Sequence, residues 1–149
     1  MRIAVGFDHR GFLIKRDLIA LLEQHGHEVV DLGTDSTDPV DYPDVSTAVG
    51  ESVRTGGAER GIVVCGSGAG AVMAANKLNG IRCASATETY TAHQMVEHDD
   101  ANVLALGSGI VGLEVMKEIV LAFVDAKFDG GERYRRRLDK MEELERRES

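Results

Sequence analysis

The hydrophobic residues of this chain switch repeatedly between a strand-like run and a helical period. Ile3 to Phe7 form a short apolar run that stops at Asp8-His9-Arg10-Gly11. From Phe12 onward Ile14, Leu18, Leu21 and Leu22 recur at helical spacing, and Gly26 closes the run as a C-terminal glycine does. Glu28 to Leu32 reads as a second strand, and Gly33 to Asp44 as a polar loop holding both prolines, Pro39 and Pro43. A helix is expected over about 45–54, a third strand over 61–65 and a short alanine-rich helix over 71–76. A strand over 81–85, a helix from 88 to about 98 and a strand over 102–106 follow. The longest amphipathic segment carries Met116, Ile119, Val120, Phe123 and Val124 on one helical face.

Strand and helix thus alternate five times, which predicts an α/β fold with a five-stranded open parallel sheet and helices on both faces. Ligands in such folds bind beyond the carboxyl ends of the strands, where strand order reverses. After Gly130-Gly131 the composition changes. Arg133, Arg135, Arg136 and Arg137 precede Leu138, Met141 and Leu144, three apolar residues set among charges. That thin stripe suits a helix docked on another surface, and equally a solvated helix laced with salt bridges. No repeat, low-complexity stretch or linker interrupts the chain, so 1–149 is expected to form one domain with a helical tail over about 131–149.

Composition narrows the classes of function. With 43% hydrophobic and 28% charged residues the balance is that of an ordinary globular protein, and 149 residues suffice to bury a core without staples. The net charge of -8 speaks against a broad nucleic-acid footprint, so any phosphate on a ligand needs a local basic cluster. Two cysteines, Cys65 and Cys83, are too few for a disulfide scaffold or a Cys-based zinc site. No stretch has the length of a membrane-spanning helix, and residues 1–6 lack a signal-peptide pattern, so a soluble, cytoplasmic protein is expected.

Candidate chemistry concentrates in Gly61-Ile62-Val63-Val64-Cys65-Gly66-Ser67-Gly68-Ala69-Gly70. A β-branched run drives into Cys65, and a glycine-rich turn leads into a helix whose first amides lack intrahelical partners and favour negative charge. The plain reading is that Cys65 is a small apolar residue ending a core strand. Three functional readings compete with it. Gly66, Gly68 and Ala71 match a dinucleotide fingerprint with Glu88 about twenty residues on, but the chain has little room for a separate catalytic domain. A cysteine phosphatase loop would need Arg where Ala71 stands. In the third reading the loop amides hold an oxyanion or enediolate, with Cys65 as the acid–base group beside it. His9 follows Asp8 at a strand end, and His98 precedes Asp99 and Asp100, whose carboxylates can orient the imidazole for proton transfer. A metal site is the alternative use of these groups, and it lacks the helical His-x-x-x-His spacing.

Taken in order, Asp8-His9, Asp41-Tyr42-Pro43, the stretch from Gly61 to Gly68, Ala74-Ala75-Asn76-Lys77, Gly80-Ile81-Arg82, the run from His98 to Gly107, and Gly130-Gly131 with Arg133, Arg136 and Arg137 span nearly the whole chain. In this order the sequence resembles the type B ribose-5-phosphate isomerases, a family that includes the galactose-6-phosphate isomerase subunits. The resemblance implies a Rossmann-like α/β/α fold and a metal-free, cofactor-free aldose–ketose isomerase acting on a phosphorylated sugar. It implies a homodimer with active sites shared between subunits, a tetramer being the next assembly, and a C-terminal tail that docks on the partner.

By the same resemblance Cys65 is the base that moves a proton between C2 and C1, while Ser67 and the amides of Gly66, Gly68 and Gly70 stabilise the enediolate. His98, from the partner's half of the site, opens the sugar ring, and Asp8 handles hydroxyl protons. His9, Arg133 and Arg137 bind the phosphate, and Tyr42 and Asp99 line the sugar. The chain departs from the family's usual pattern at Asp99, where Asn is common, at Met95-Val96, and at Tyr134, where His is common. These positions leave open ribose 5-phosphate, erythrose or erythrulose 4-phosphate, allose 6-phosphate and galactose 6-phosphate. A non-catalytic nucleotide-binding module is the reading from another class.

Overall fold

The computed structural model describes residues 1–149. Its strands are β1 (Arg2–Phe7), β2 (Glu28–Asp31), β3 (Arg60–Cys65), β4 (Cys83–Ser85) and β5 (Val103–Gly107). All pair in parallel, in the order β2-β1-β3-β5-β4. The helices are α1 (Lys15–Gln24, preceded by a 3-10 turn over Phe12–Ile14), α2 (Tyr42–Arg54), α3 (Ala69–Ala75), α4 (Thr89–Glu97), α5 (Leu113–Asp125) and α6 (Glu132–Glu148).

Side chains alternate across each strand, and the two faces are filled differently. Ile3, Val5, Phe7, Ile62, Val64, Leu104 and Leu106 meet the apolar faces of α1, α4 and α5 in one large core. Ala4, Val63, Cys65, Val103 and Ala105 meet α2 and α3 in a second. Small residues on that second face let the alanines of α3 and Val45 and Val49 of α2 come close to the sheet. The result is the three-layer α/β/α arrangement expected from the alternation of strand and helix.

Strand order could not be read from the sequence, and it decides where a site can form. The chain leaves β1 for the outer strand β2, then crosses back to β3, so the β1/β3 boundary is the switch point at which open sheets bind ligands. β5 inserts between β3 and β4, so the carboxyl end of β3 lies between those of β1 and β5. Loops from three strands therefore meet around Cys65.

Several boundaries move for identifiable reasons. α2 starts at Tyr42 rather than near Val45, because Asp41 stands at its N-cap and Pro43, lacking an N–H, is tolerated in the first turn. β4 begins at Cys83 rather than Ile81, because Arg82 N–H donates to Asn102 Oδ1 at 2.8 Å and Cys83 N–H to Asn76 Oδ1 at 2.8 Å. The tail is a single helix, α6, attached to its own body: Gly80 N–H donates to the Glu145 carboxylate at 3.1 Å and Asn79 Nδ2 to Ser149 Oγ at 2.8 Å. No helix is long and apolar enough to cross a membrane.

Candidate active site

At the carboxyl edge of the sheet, β3 delivers Cys65 into the turn Gly66-Ser67-Gly68. Cys65 is 4% exposed, and its Sγ accepts the Gly68 N–H at 3.1 Å. Gly68 holds φ 85°, a left-handed conformation that glycine adopts without the Cβ penalty of other residues. This turn brings its amide onto the sulfur and starts α3 two residues earlier than the alanine pattern suggests. Ser67 is exposed at the tip of the turn, and its Oγ accepts the Ala69 N–H at 3.3 Å. Gly70 lies under the Tyr42 ring, where a Cβ would meet Tyr42 Cε2 and Cζ at 2.6 Å. Tyr42, 41% exposed, therefore walls one side of the turn.

β1 supplies the neighbouring groups. Asp8 is 4% exposed, and its Oδ1 accepts N–H groups from Arg10 at 2.8 Å and Gly11 at 3.0 Å. The second carboxylate oxygen, Oδ2, takes no hydrogen bond within the chain. His9 Nδ1 accepts the Val40 N–H at 3.2 Å, so in the neutral ring the proton sits on Nε2, which is left to donate to a ligand. Asp8, His9, Tyr42, Cys65, Ser67 and the loop glycines thus gather at one edge.

His98, Asp99, Arg133 and Arg137 do not join them. Val103 pairs with Gly61, at the opposite end of β3 from Cys65, and His98 precedes Val103 by one short turn. The strand segment between Gly61 and Cys65 alone spans about 13 Å at roughly 3.3 Å per residue. His98 therefore sits at the amino edge of the sheet, out of reach of its own chain's Cys65.

A second cluster forms there. The His98 ring stacks on Tyr134 with centroids 4.5 Å apart and planes inclined by 14°. The Arg133 guanidinium lies 4.7 Å from the centre of the Tyr134 ring, and its Nη2 donates to Tyr134 Oη at 2.6 Å. Arg137 is exposed one helical turn further along α6.

One sequence expectation needs correction, and one residue gains a role. The carboxylates after His98 do not orient it. Asp100 Oδ2 is paired with Arg82 Nη2 at 2.9 Å, and Asp99 is exposed without a hydrogen bond to the ring. Gln94, one helical turn before His98, orients it instead: its Nε2 lies 2.9 Å from His98 Nδ1 and donates, which leaves Nε2 of the imidazole as the outward donor. Tyr134, seen in the sequence only as a departure from pattern, is buried as the platform under His98. Gln94 and His98 at helical i,i+4 spacing was the signal that could have found the first. Nothing local marks the second.

The chain matches the Ribose/Galactose Isomerase family over residues 3–141. It is 42% identical over 146 residues to the ribose-5-phosphate isomerase B of Escherichia coli strain K12, covering 98% of this chain and 97% of that protein. It is 39% identical over 133 residues to the D-erythrulose-4-phosphate isomerase of Pectobacterium atrosepticum, covering 88% and 87%. The structure superposes on that of Clostridium thermocellum ribose-5-phosphate isomerase B with a TM-score of 0.97 and 45% identity, each chain covered in full. The chain belongs to the ribose/galactose isomerase family, and it is an isomerase.

Proposed function

We propose that this isomerase interconverts ribose 5-phosphate and ribulose 5-phosphate through an enediolate, at sites completed by a second copy of the chain. One observation carries the reading. Asp8, His9, Cys65 and Ser67 converge at the carboxyl edge of β1 and β3, whereas His98, Arg133 and Arg137 occupy the opposite edge. Across a homodimer the two half-sets make whole sites, and the partly exposed stripe of Met141 and Leu144 on α6 offers surface for the contact. The free thiols Cys65 and Cys83 suit a cytoplasmic enzyme.

In this mechanism His98 Nε2–H hydrogen-bonds the ring oxygen as its bond to C1 breaks. The ring oxygen ends protonated and the C1 hydroxyl gives up its proton, the exchange running through solvent with no net loss from the imidazole, and the furanose opens to the free aldehyde. Cys65 Sγ, as thiolate, then removes the proton from C2, and the electron pair moves onto the carbonyl oxygen at C1. Charge develops on the enediolate oxygens, where the loop amides and the Ser67 hydroxyl meet it. Asp8 Oδ2, free of protein donors, carries a proton between O1 and O2. Cys65 returns the proton to C1, giving the ketose and regenerating the thiolate. His9 Nε2–H, with Arg133 and Arg137 of the second copy, holds the phosphate. No step calls for a metal or a cofactor.

A shorter substrate is the second reading. Tyr134 fills space beside His98, and the relative from Pectobacterium atrosepticum is named for a tetrose phosphate. Assays with ribose 5-phosphate, erythrose 4-phosphate, allose 6-phosphate and galactose 6-phosphate in deuterated water separate these readings. The expected outcome is the highest kcat/KM on ribose 5-phosphate with deuterium entering the product carbon. Preference for erythrose 4-phosphate would establish the second reading, and no turnover or exchange with any of the four would refute both.

A further inference from the structure

Arg10 is not used by the mechanism above, and its position is unusual. It follows β1, but its side chain runs across the end of β3 toward the loop after β5. A Cβ on Gly66 would stand 2.6 Å from Arg10 Cζ, and a Cβ on Gly109 would stand 3.0 Å from Arg10 Nη2. The guanidinium therefore lies in a trough floored by two residues that have no side chains, one residue beyond Cys65. The floor is tied together, since Gly109 N–H donates to Gly66 O at 2.9 Å and Ser108 N–H to Cys65 O at 2.8 Å.

No carboxylate neutralises this cation. Arg10 takes part in none of the chain's ion pairs, and its only polar contact is its backbone N–H on Asp8 Oδ1. The nearest other cation in sequence, Lys15, is already held by Asp31 at 2.8 Å and Asp35 at 2.7 Å. Moreover, Arg10 is the sole Arg or Lys in the loops at the carboxyl edge, residues 8–14, 32–41, 66–68, 86–88 and 108–112, which also carry Asp8, Asp35, Asp38, Asp41 and Glu88. A phosphate dianion arriving at this acidic edge meets one arginine or lysine charge from the loops of the chain that holds Cys65.

We propose that Arg10 is a substrate-binding residue that clamps the phosphate group of the sugar with its planar N–H fork, acting with its chain neighbour His9. Asp8 thereby gains a second role. By accepting the Arg10 and Gly11 N–H groups, it fixes the turn that aims the two phosphate-binding side chains. The glycines at 66 and 109 are the complement of the guanidinium, because any larger residue would push it out of the trough.

This inference rests on the isomerase reading, and the test keeps the two apart. Kinetics on ribose 5-phosphate and calorimetry with inorganic phosphate are measured for the full chain and for Arg10→Ala, Arg10→Lys and Gly109→Ala. Arg10→Ala is expected to raise KM by about 100-fold, from the loss of two charge-assisted hydrogen bonds, with kcat changed far less. Inorganic phosphate should bind correspondingly more weakly. Arg10→Lys should recover part of the loss, and Gly109→Ala, which leaves the arginine but displaces it, should reproduce much of it.

Equal KM and equal phosphate affinity in wild type and Arg10→Ala would overturn the role of Arg10 while leaving the isomerase intact. Weakened phosphate binding in a protein that isomerises no aldose phosphate would retain Arg10 as an anion site and overturn the isomerase reading instead. Should Arg10→Ala not fold by circular dichroism, Arg10→Lys and Gly109→Ala decide by the same comparison.

Discussion

Two inactive variants mixed together should regain activity, and the amount follows from the geometry. Cys65 and His98 lie at opposite edges of one sheet, separated by at least the roughly 13 Å of strand between Gly61 and Cys65, against a hydrogen-bond reach of about 3 Å. Each site in a two-fold dimer then takes Cys65 from one chain and His98 from the other. In a heterodimer of Cys65→Ala with His98→Ala, one site carries both lesions and the other carries neither. Equal amounts of the two proteins, unfolded and refolded together, give about half heterodimers by random pairing, and so about a quarter of the wild-type activity per chain. The assay is ribose 5-phosphate isomerisation before and after co-refolding, with native mass spectrometry of tagged chains to count heterodimers. Were both residues to serve the same chain's site, every site in the mixture would still carry one lesion. Proven heterodimers without recovered activity would therefore refute the shared site.

The buried Cys83 thiol should make stability depend on alkaline pH. Burial, with the neighbouring Cys65 adding to it, pushes the Cys83 thiol from an ordinary 9.0 up to about 12. The folded chain therefore keeps a proton that the unfolded chain loses: stability is full below about pH 9 and falls as pH rises toward 12, by up to about 1.4 kcal/mol per pH unit. Urea unfolding of wild type and Cys83→Ala across that range should show the extra loss in wild type alone, and parallel curves would contradict it. Arg60, whose guanidinium caps the carboxyl end of α5 by donating to the carbonyls of Phe123, Val124 and Ala126, should matter for stability rather than chemistry. Arg60→Leu is expected to cost about 2–4 kcal/mol, or roughly 5–15 °C in Tm, and an unchanged melting curve would contradict that.

The layers of this fold were legible because the periodicities are clean. The run from Ile3 to Phe7 and that from Ile62 to Cys65 are buried on both faces, and the spacing of Leu18 and Leu22 in α1 and of Met116, Ile119 and Phe123 in α5 matches the faces those helices bury. The Cys65 loop was legible from the same pattern, as a strand ending in a glycine turn. Strand order was not, since nothing in a parallel strand's own residues states which neighbour it pairs with; the insertion of β5 beside β3 brings Gly109 to the site from far along the chain. The support of His98 was misread because sequence adjacency favoured Asp99 and Asp100. A helix C-terminus turns those residues away, toward Arg82 in the case of Asp100, while the i–4 position faces the ring. Arg10 looked like an ordinary loop residue next to a more suggestive histidine. Only the paired glycines at 66 and 109, distant in sequence and adjacent in space, reveal where its side chain lies.

The role of Cys65 is tested most directly by following solvent-deuterium exchange at C2 of ribose 5-phosphate in Cys65→Ala, alongside its affinity for inorganic phosphate. The expected result is a folded protein that binds phosphate as the wild type does, with exchange reduced by about a thousandfold or more, as befits loss of the base. Exchange near the wild-type rate in that variant would remove Cys65 from the proton transfer, and with it the enediolate mechanism built on the loop from Cys65 to Gly70.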